Sequence, residues 1–258
     1  PHQVGFANRR GHGGGGGGGN GNDDAQRAVE IACGSSFNVA RMRDGSVLTW
    51  GLGESGQLGR GKPPVLRPDP HSRNYDTQAA HEHHLTPQRV QLPGAAESSS
   101  ASVHAIGCGS YHTLLATRDN VWTFGLNNYG QLGVDPDDAS HPFASAAKAT
   151  ENAHEGAVLR VLTAPTPVAV RGLEAERVGT ICSVDGGEHH SLALGMSGAV
   201  YSFGRGDAGE LGWKTADDGK GRVASGYFAF APQRVEGPLR GYAIKQINCG
   251  SHHNIAVS

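Results

Sequence analysis

Short apolar runs, each followed by a tight turn and an alternating segment, recur along this chain. In Gly186–Gly212 the run Ser191-Leu192-Ala193-Leu194 is bounded by polar and glycine residues, the mark of a buried strand. Ser197-Gly198 follows, a pair that tolerates positive φ. Val200-Tyr201-Ser202-Phe203 then alternates with period two, so Tyr201 and Phe203 share one face and Val200 and Ser202 the other. The stretch closes on a polar, glycine-rich loop and Glu210-Leu211-Gly212, whose lone leucine between turn residues is expected to plug the core.

The same grammar occurs at Cys33–Gly59 and Cys108–Gly133, and begins again at Cys249. The turns fall at Asp44-Gly45 and Asp119-Asn120, and the alternating strands at Val47–Trp50 and Val121–Phe124. A second element, Pro87–Val90, Pro165–Val168 and Pro232–Val235, with Pro1–Val4 as a fourth instance, predicts an outer, edge-like strand that tolerates proline. Self-similarity at such intervals is the mark of a repeat architecture. The chain divides into residues 1–30, the end of a preceding repeat; 31–107 and 108–185, repeats with long inserts; 186–248, a further repeat; and 249–258, the start of another. Two strands on a tight turn, repeated with long connections and without helical periodicity, predict an all-β propeller.

The 258 residues can bury a sizeable core. Forty glycines are an excess partly explained by fixed repeat positions and partly by the tract Gly13–Gly21, expected to be a disordered loop. A net charge of −2 with no basic run gives no nucleic-acid footprint, and no apolar run approaches membrane-spanning length. The chain begins in mid-pattern without a signal peptide and is expected to be a fragment. Three of four cysteines, Cys33, Cys108 and Cys249, precede glycine at one repeat position. Such equivalent positions do not pair across blades, so they are expected to be small buried hydrophobes in a reducing compartment.

Two motifs invite misreading. Gly51–Gly56 and Gly204–Gly209 spell the dinucleotide glycine fingerprint, yet neither opens a helix, and the second copy breaks it with Asn127. His81-Glu82-His83-His84 sits in the polar insert Gly61–Thr86 with no spaced partner for a metal. Pro136–Ala164 and Thr215–Ala224 are further inserts, expected on the surface. No cofactor and no metal are expected.

His112, His190 and His253 occupy the fifth repeat position, where the first copy has Phe37. A residue replaceable by phenylalanine is expected to be a packed, hydrogen-bonded core side chain. The residue before it varies, Ser36, Tyr111, His189 and His252, and strand alternation turns it toward the loop rim, where a propeller presents a binding surface. Trp50 is in register with Phe124 and Phe203, and Trp122 with Tyr201; only Trp213 lies outside that register. No nucleophile–base–orienter set is favoured by spacing, so enzyme activity is not expected.

Together these features resemble the regulator of chromosome condensation family. Its repeat has a small-residue–glycine pair such as Cys33-Gly34, then histidine, a valine-led aromatic strand and Gly-Gln-Leu-Gly. The resemblance implies a seven-bladed propeller, here an incomplete arc of about three to four blades. It also implies guanine nucleotide exchange on the small GTPase Ran, without covalent chemistry, in the nucleus and at chromatin. The copies look like the family's fourth, fifth and sixth repeats in order. Carried over by motif, the GTPase-facing positions fall on Ser36, Arg60, Asn128 and His189. The histidine matches one needed for exchange; Ser36 departs from an acidic residue. The family's wedge insert, and the basic tail that holds it to nucleosomes, would lie upstream of Pro1, so this piece alone is expected to exchange poorly and, as an open arc, to be poorly soluble. It is expected to be monomeric. The alternative within the same repeats is a protein-interaction scaffold, as in ubiquitin ligases, trafficking proteins or a cytoplasmic setting. The photoreceptor branch's Gly-Trp-Arg-His-Thr motifs do not occur.

Overall fold

A computed structural model describes residues 27–61, 84–94, 102–135, 162–213, 228–239 and 241–258. Pro1–Val4, the glycine tract, His81-Glu82-His83 and most of the three inserts lie outside the described residues. Three four-stranded antiparallel sheets follow one another in sequence. The first is β1 (Ala28–Cys33), β2 (Phe37–Met42), β3 (Val47–Gly51) and β4 (Gln88–Arg89). The second is β5 (Val103–Cys108), β6 (His112–Thr117), β7 (Val121–Leu126) and β8 (Thr163–Ala169). The third is β9 (Ile181–Gly186), β10 (His190–Gly195), β11 (Val200–Arg205) and β12 (Phe228–Arg234). A single helical turn, α1 (Ala175–Val178), bridges the second and third sheets, and β13 (Gln246–Cys249) pairs with β14 (Asn254–Val257).

Strand order equals chain order in every sheet, so each is an up-and-down blade and the whole is a propeller arc. The proline-containing element supplies the outermost strand in each case, two residues long in the first blade and seven in the others. Every blade also opens on an inner strand upstream of the small-residue–glycine pair. That strand, β1, β5 or β9, hydrogen-bonds to the run that follows.

The core lies between blades. β6 and β10 are buried at every position, because the second and third blades are packed on both faces. Leu115 and Phe124 face the first blade, with Phe37, Val39 and Leu58. Leu114, Ala116 and Val121 face the third, with Val184, Ala193 and Phe203. Each fully buried leucine or phenylalanine contributes about 1.5–3 kcal/mol.

The loop leucines Leu58, Leu132 and Leu211 are at most 2% exposed. Their carbonyls are bonded from below: Thr49 Oγ1 donates to Leu58 O (2.7 Å), Thr123 Oγ1 to Leu132 O (2.8 Å) and Ser202 Oγ to Leu211 O (2.6 Å). The flanking glycines let the loop touch the next blade. Gly59 and Gly133, at φ 66°, lie against Phe124 and Phe203, where a Cβ would come within about 3 Å of the ring. The loop joins neighbouring blades as well as ending its own strand.

At the ends of the arc the covering sheet is lacking among the described residues. Val29, Ile31, Ile255 and Val257 are exposed as a result. The same cause corrects two expectations. Cys33 is exposed while Cys108 is buried and Cys249 half-buried; all are free thiols. His253 is exposed, whereas His112 and His190 are buried. Trp50 is half-buried where Phe124 and Phe203 are fully buried, since its outward face belongs to the first blade.

Candidate functional site

The small-residue–glycine pair builds the inner end of the rim. The fifth-position ring lies directly on the glycine: a Cβ on Gly34, Gly109, Gly187 or Gly250 would fall 2.0–2.1 Å from Phe37, His112, His190 or His253. Only glycine fits beneath it. Backbone bonds then step from blade to blade around the axis, Ser35 N to Ser110 O, Ser110 N to Gly187 O and Glu188 N to Ser251 O. These loops enclose an axial mouth of about 350 Å³ lined by Cys33, Cys108, Asp185, Glu188 and Cys249 among others. Asp185 accepts from Gly186 N (2.9 Å) and from Cys249 N (2.7 Å), tying the third blade to β13. Burial nonetheless raises its carboxyl above the ordinary range. Burial also raises the Cys108 and Cys249 thiols, which stay protonated.

The fifth-position histidines are consumed by a relay between blades. His112 Nε2 lies 2.8 Å from Ser191 Oγ, and that hydroxyl donates to Gln131 O (2.7 Å). His190 Nε2 lies 2.7 Å from Asn254 Oδ1, and Asn254 Nδ2 donates to Glu210 O. Where phenylalanine stands instead, at Phe37, the next blade keeps only the second link, Thr113 Oγ1 to Gln57 O (2.9 Å). Burial pushes His112 down to about 3, so it is neutral at any ordinary pH. These groups hold blades together.

The four carried-over positions behave differently. Ser36 is exposed at the entrance to β2. Asn128 Oδ1 accepts from Leu162 N (2.8 Å), which seats the chain entering β8. Arg60 follows Gly59 and is half-buried, and burial holds its guanidinium below its ordinary value. His189 is the centre of a cluster. Its ring stacks on Tyr111 (centroids 6.0 Å, planes 18° apart) and tilts against Tyr129 (4.6 Å, 40°). Tyr129 meets Phe228 edge-on at 5.2 Å and lies 5.3 Å below the Arg205 guanidinium. Arg205 is held by two 2.6 Å bonds to Asp207. His189 Nε2 stands 3.7 Å from Glu188, whose other oxygen is 3.0 Å from His252 Nε2; His252 Nδ1 in turn is 3.6 Å from the buried Glu210. Burial lowers His189 below its ordinary value; Glu188 opposes this, and Arg205, His252 and His190 reinforce it.

Of the four carried-over positions, His189 is the one the described residues surround with a cluster of rings and charges. Tyr129, Arg205, Phe228 and Glu188 were not singled out in the sequence. One signal marks Tyr129: it fills a loop position held by Ser55 and Ala208 in the other blades, each donating its N–H to the loop's Gln or Glu. His84, the one described member of the histidine insert, donates Nδ1–H to Gly51 O (3.1 Å), and no group of three metal-ligating side chains occurs among the described residues. No helix there is long and apolar enough to cross a membrane.

The regulator of chromosome condensation (RCC1) repeat model matches residues 44–116, 118–194 and 197–257, and a second model of that repeat matches 28–57 and 103–131. The chain is 30% identical over 237 residues to Protein pim1 of Schizosaccharomyces pombe, covering 89% of this chain and 35% of pim1. It is 29% identical over 231 residues to the probable E3 ubiquitin-protein ligase HERC3 of Homo sapiens, covering 90% and 16%. Against the human Regulator of chromosome condensation it is 29% identical over 185 residues, covering 71% and 36%. The chain thus spans 16–36% of the length of these relatives. Among solved structures, Prp20p of Saccharomyces cerevisiae superposes with a TM-score of 0.62 at 21% identity, over 89% of this chain and 43% of that one. Human WBSCR16 gives 0.60 at 23%, over 90% and 47%. These structural likenesses establish a shared propeller fold.

Proposed function

Because the chain belongs to the family of regulator of chromosome condensation repeats, we propose that it is part of a guanine nucleotide exchange factor for the small GTPase Ran. The observation that carries this is the rim cluster around His189, at the repeat position matching the histidine needed for exchange in the family. The cluster departs from the repeat: it concentrates two tyrosines, an arginine and the histidine at the junction of the second and third blades. A rim of that kind recognises a partner. Aromatic rings and arginine are the side chains that most often anchor protein interfaces.

Exchange needs only differential binding. A rim that holds the nucleotide-free GTPase more tightly than the nucleotide-bound form weakens nucleotide affinity by the same factor, and the GTPase refills from solution. Ser36, Arg60 and Asn128 would line the same contact face, with Asn128 also shaping the backbone at Leu162. A nuclear location and association with nucleosomes accompany this reading. The solved Prp20p is described with its binding to Gsp1p and histones.

The test is release of fluorescent GDP from Ran by the intact protein. His189→Ala is expected to slow release about tenfold or more, as for a central anchor. No acceleration of GDP release by the intact protein, with no capture of nucleotide-free Ran, would overturn the proposal; wild-type release by the variant would remove His189 from the mechanism. The second reading, an interaction scaffold, is favoured by the HERC3 identity of 29%, close to the 30% for pim1. Capture of a different partner, with no affinity for nucleotide-free Ran, would support it.

A further inference from the structure

A histidine ring is ordinarily oriented by the hydrogen bond that its second nitrogen makes. His189 lacks that anchor. Among the described residues its Nδ1 is buried without a hydrogen-bond partner, and Nε2 is 3.7 Å from the Glu188 carboxylate, beyond hydrogen-bond range. Packing must therefore set the ring. Both rings that touch it come from the preceding blade: Tyr111 just ahead of β6 and Tyr129 in the loop after β7. Tyr129 is itself fixed, by Phe228 at its edge and by Arg205 above its face. Its backbone is fixed too, since its N–H donates to Gln131 Oε1 (2.9 Å).

We propose that Tyr111 and Tyr129 are positioning residues for His189, clamping its imidazole across the blade junction so that Nε2 is the nitrogen offered to a partner. This rests on the reading of His189 as the residue that engages the GTPase. The clamp also excludes water. The ionisable groups around the ring are Glu188, His190, His252 and Arg205, the last paired with Asp207, and beside them burial holds the ring uncharged at neutral pH. Opening the clamp lets solvent reach the ring, and its titration moves up toward the ordinary value.

Two measurements on the protein test this together: side-chain histidine NMR across pH, and fluorescent GDP release from Ran. Tyr129→Leu is expected to raise the His189 titration by about half a pH unit or more. It should also cut the maximal release rate more than the apparent affinity for Ran. Tyr129→Phe, which keeps the ring, restores both. Tyr111→Leu, at a position 38% exposed and so less disruptive to folding, should shift His189 in the same direction. An unchanged His112 resonance confirms that the blades are intact in each variant. A His189 titration unmoved in both leucine variants overturns the clamp. If it moves while neither the wild type nor any variant accelerates GDP release from Ran, the clamp is supported and the exchange reading is the one overturned.

Discussion

Replacing His112 by phenylalanine separates the packing role of the fifth-position ring from its hydrogen bond. Ser191 has one hydroxyl proton and gives it to Gln131 O, so His112 must donate its Nε2–H to Ser191 Oγ. The imidazole is thus locked in one neutral tautomer, and burial holds its folded-state value down to about 3. The unfolded chain titrates near 6.5. Below that pH the unfolded state takes up a proton that the folded state refuses, so stability is full above it and falls as the solution is acidified. Between pH 7.5 and 5.0 this one group costs about 2 kcal/mol, and any folded value below about 4 gives the same result. The fold already contains the substituted arrangement: Phe37 lies on Gly34 as His112 lies on Gly109, and Thr113 keeps its bond to Gln57 O. His112→Phe is therefore expected to cost no more than about 1 kcal/mol at pH 7.5. It should also remove about one proton from the acid dependence. A smaller slope should remain, because burial lowers His190 as well. Urea unfolding at the two pH values measures both quantities. An acid loss in His112→Phe equal to that of the wild type would refute the reasoning.

Two further outcomes follow from the repeat geometry. Gly109→Ala would set a methyl 2.0 Å from His112 Cε1 and 2.5 Å from Gly187 O; it should lower stability by about 3 kcal/mol or more in thermal or urea unfolding, and a near-neutral effect would contradict the close packing. A thiol reagent under native conditions should modify the exposed Cys33 and Cys182 quickly and spare Cys108, which is buried with a raised thiol, until the protein unfolds; equal rates for all would contradict the blade packing.

Much of the blade was legible in the residues because each repeat position has a local reason. The glycine of the small-residue pair lies beneath a ring, the turn pairs accept positive φ, as at Gly45 and Gly198, and the lone leucine fills the space between blades. The inner strand was less legible. Ala28–Cys33, Val103–Cys108 and Ile181–Gly186 share an Ile or Val two residues before their last position, at Ile31, Ile106 and Val184, but little else, since their environment is set by the neighbouring blade and by distance from the axis. The rim was legible only as a register of varying residues. Its real cluster joins Tyr111 and Tyr129 to His189, Arg205 and Phe228, groups far apart in the chain that meet only when blades pack.

What the amino-acid order determined by itself is the unit: strand, turn, alternating strand and a glycine-bounded leucine. These depend on backbone freedom and side-chain periodicity within a few residues. What only the tertiary structure decided is which of these units confront one another. That choice left Cys33 and His253 exposed while their counterparts Cys108, His112 and His190 are buried. It also turned a variable rim position into a histidine held between two tyrosines. Burial, stacking and lowered basicity are properties of the space between two sheets, and no single repeat contains that space.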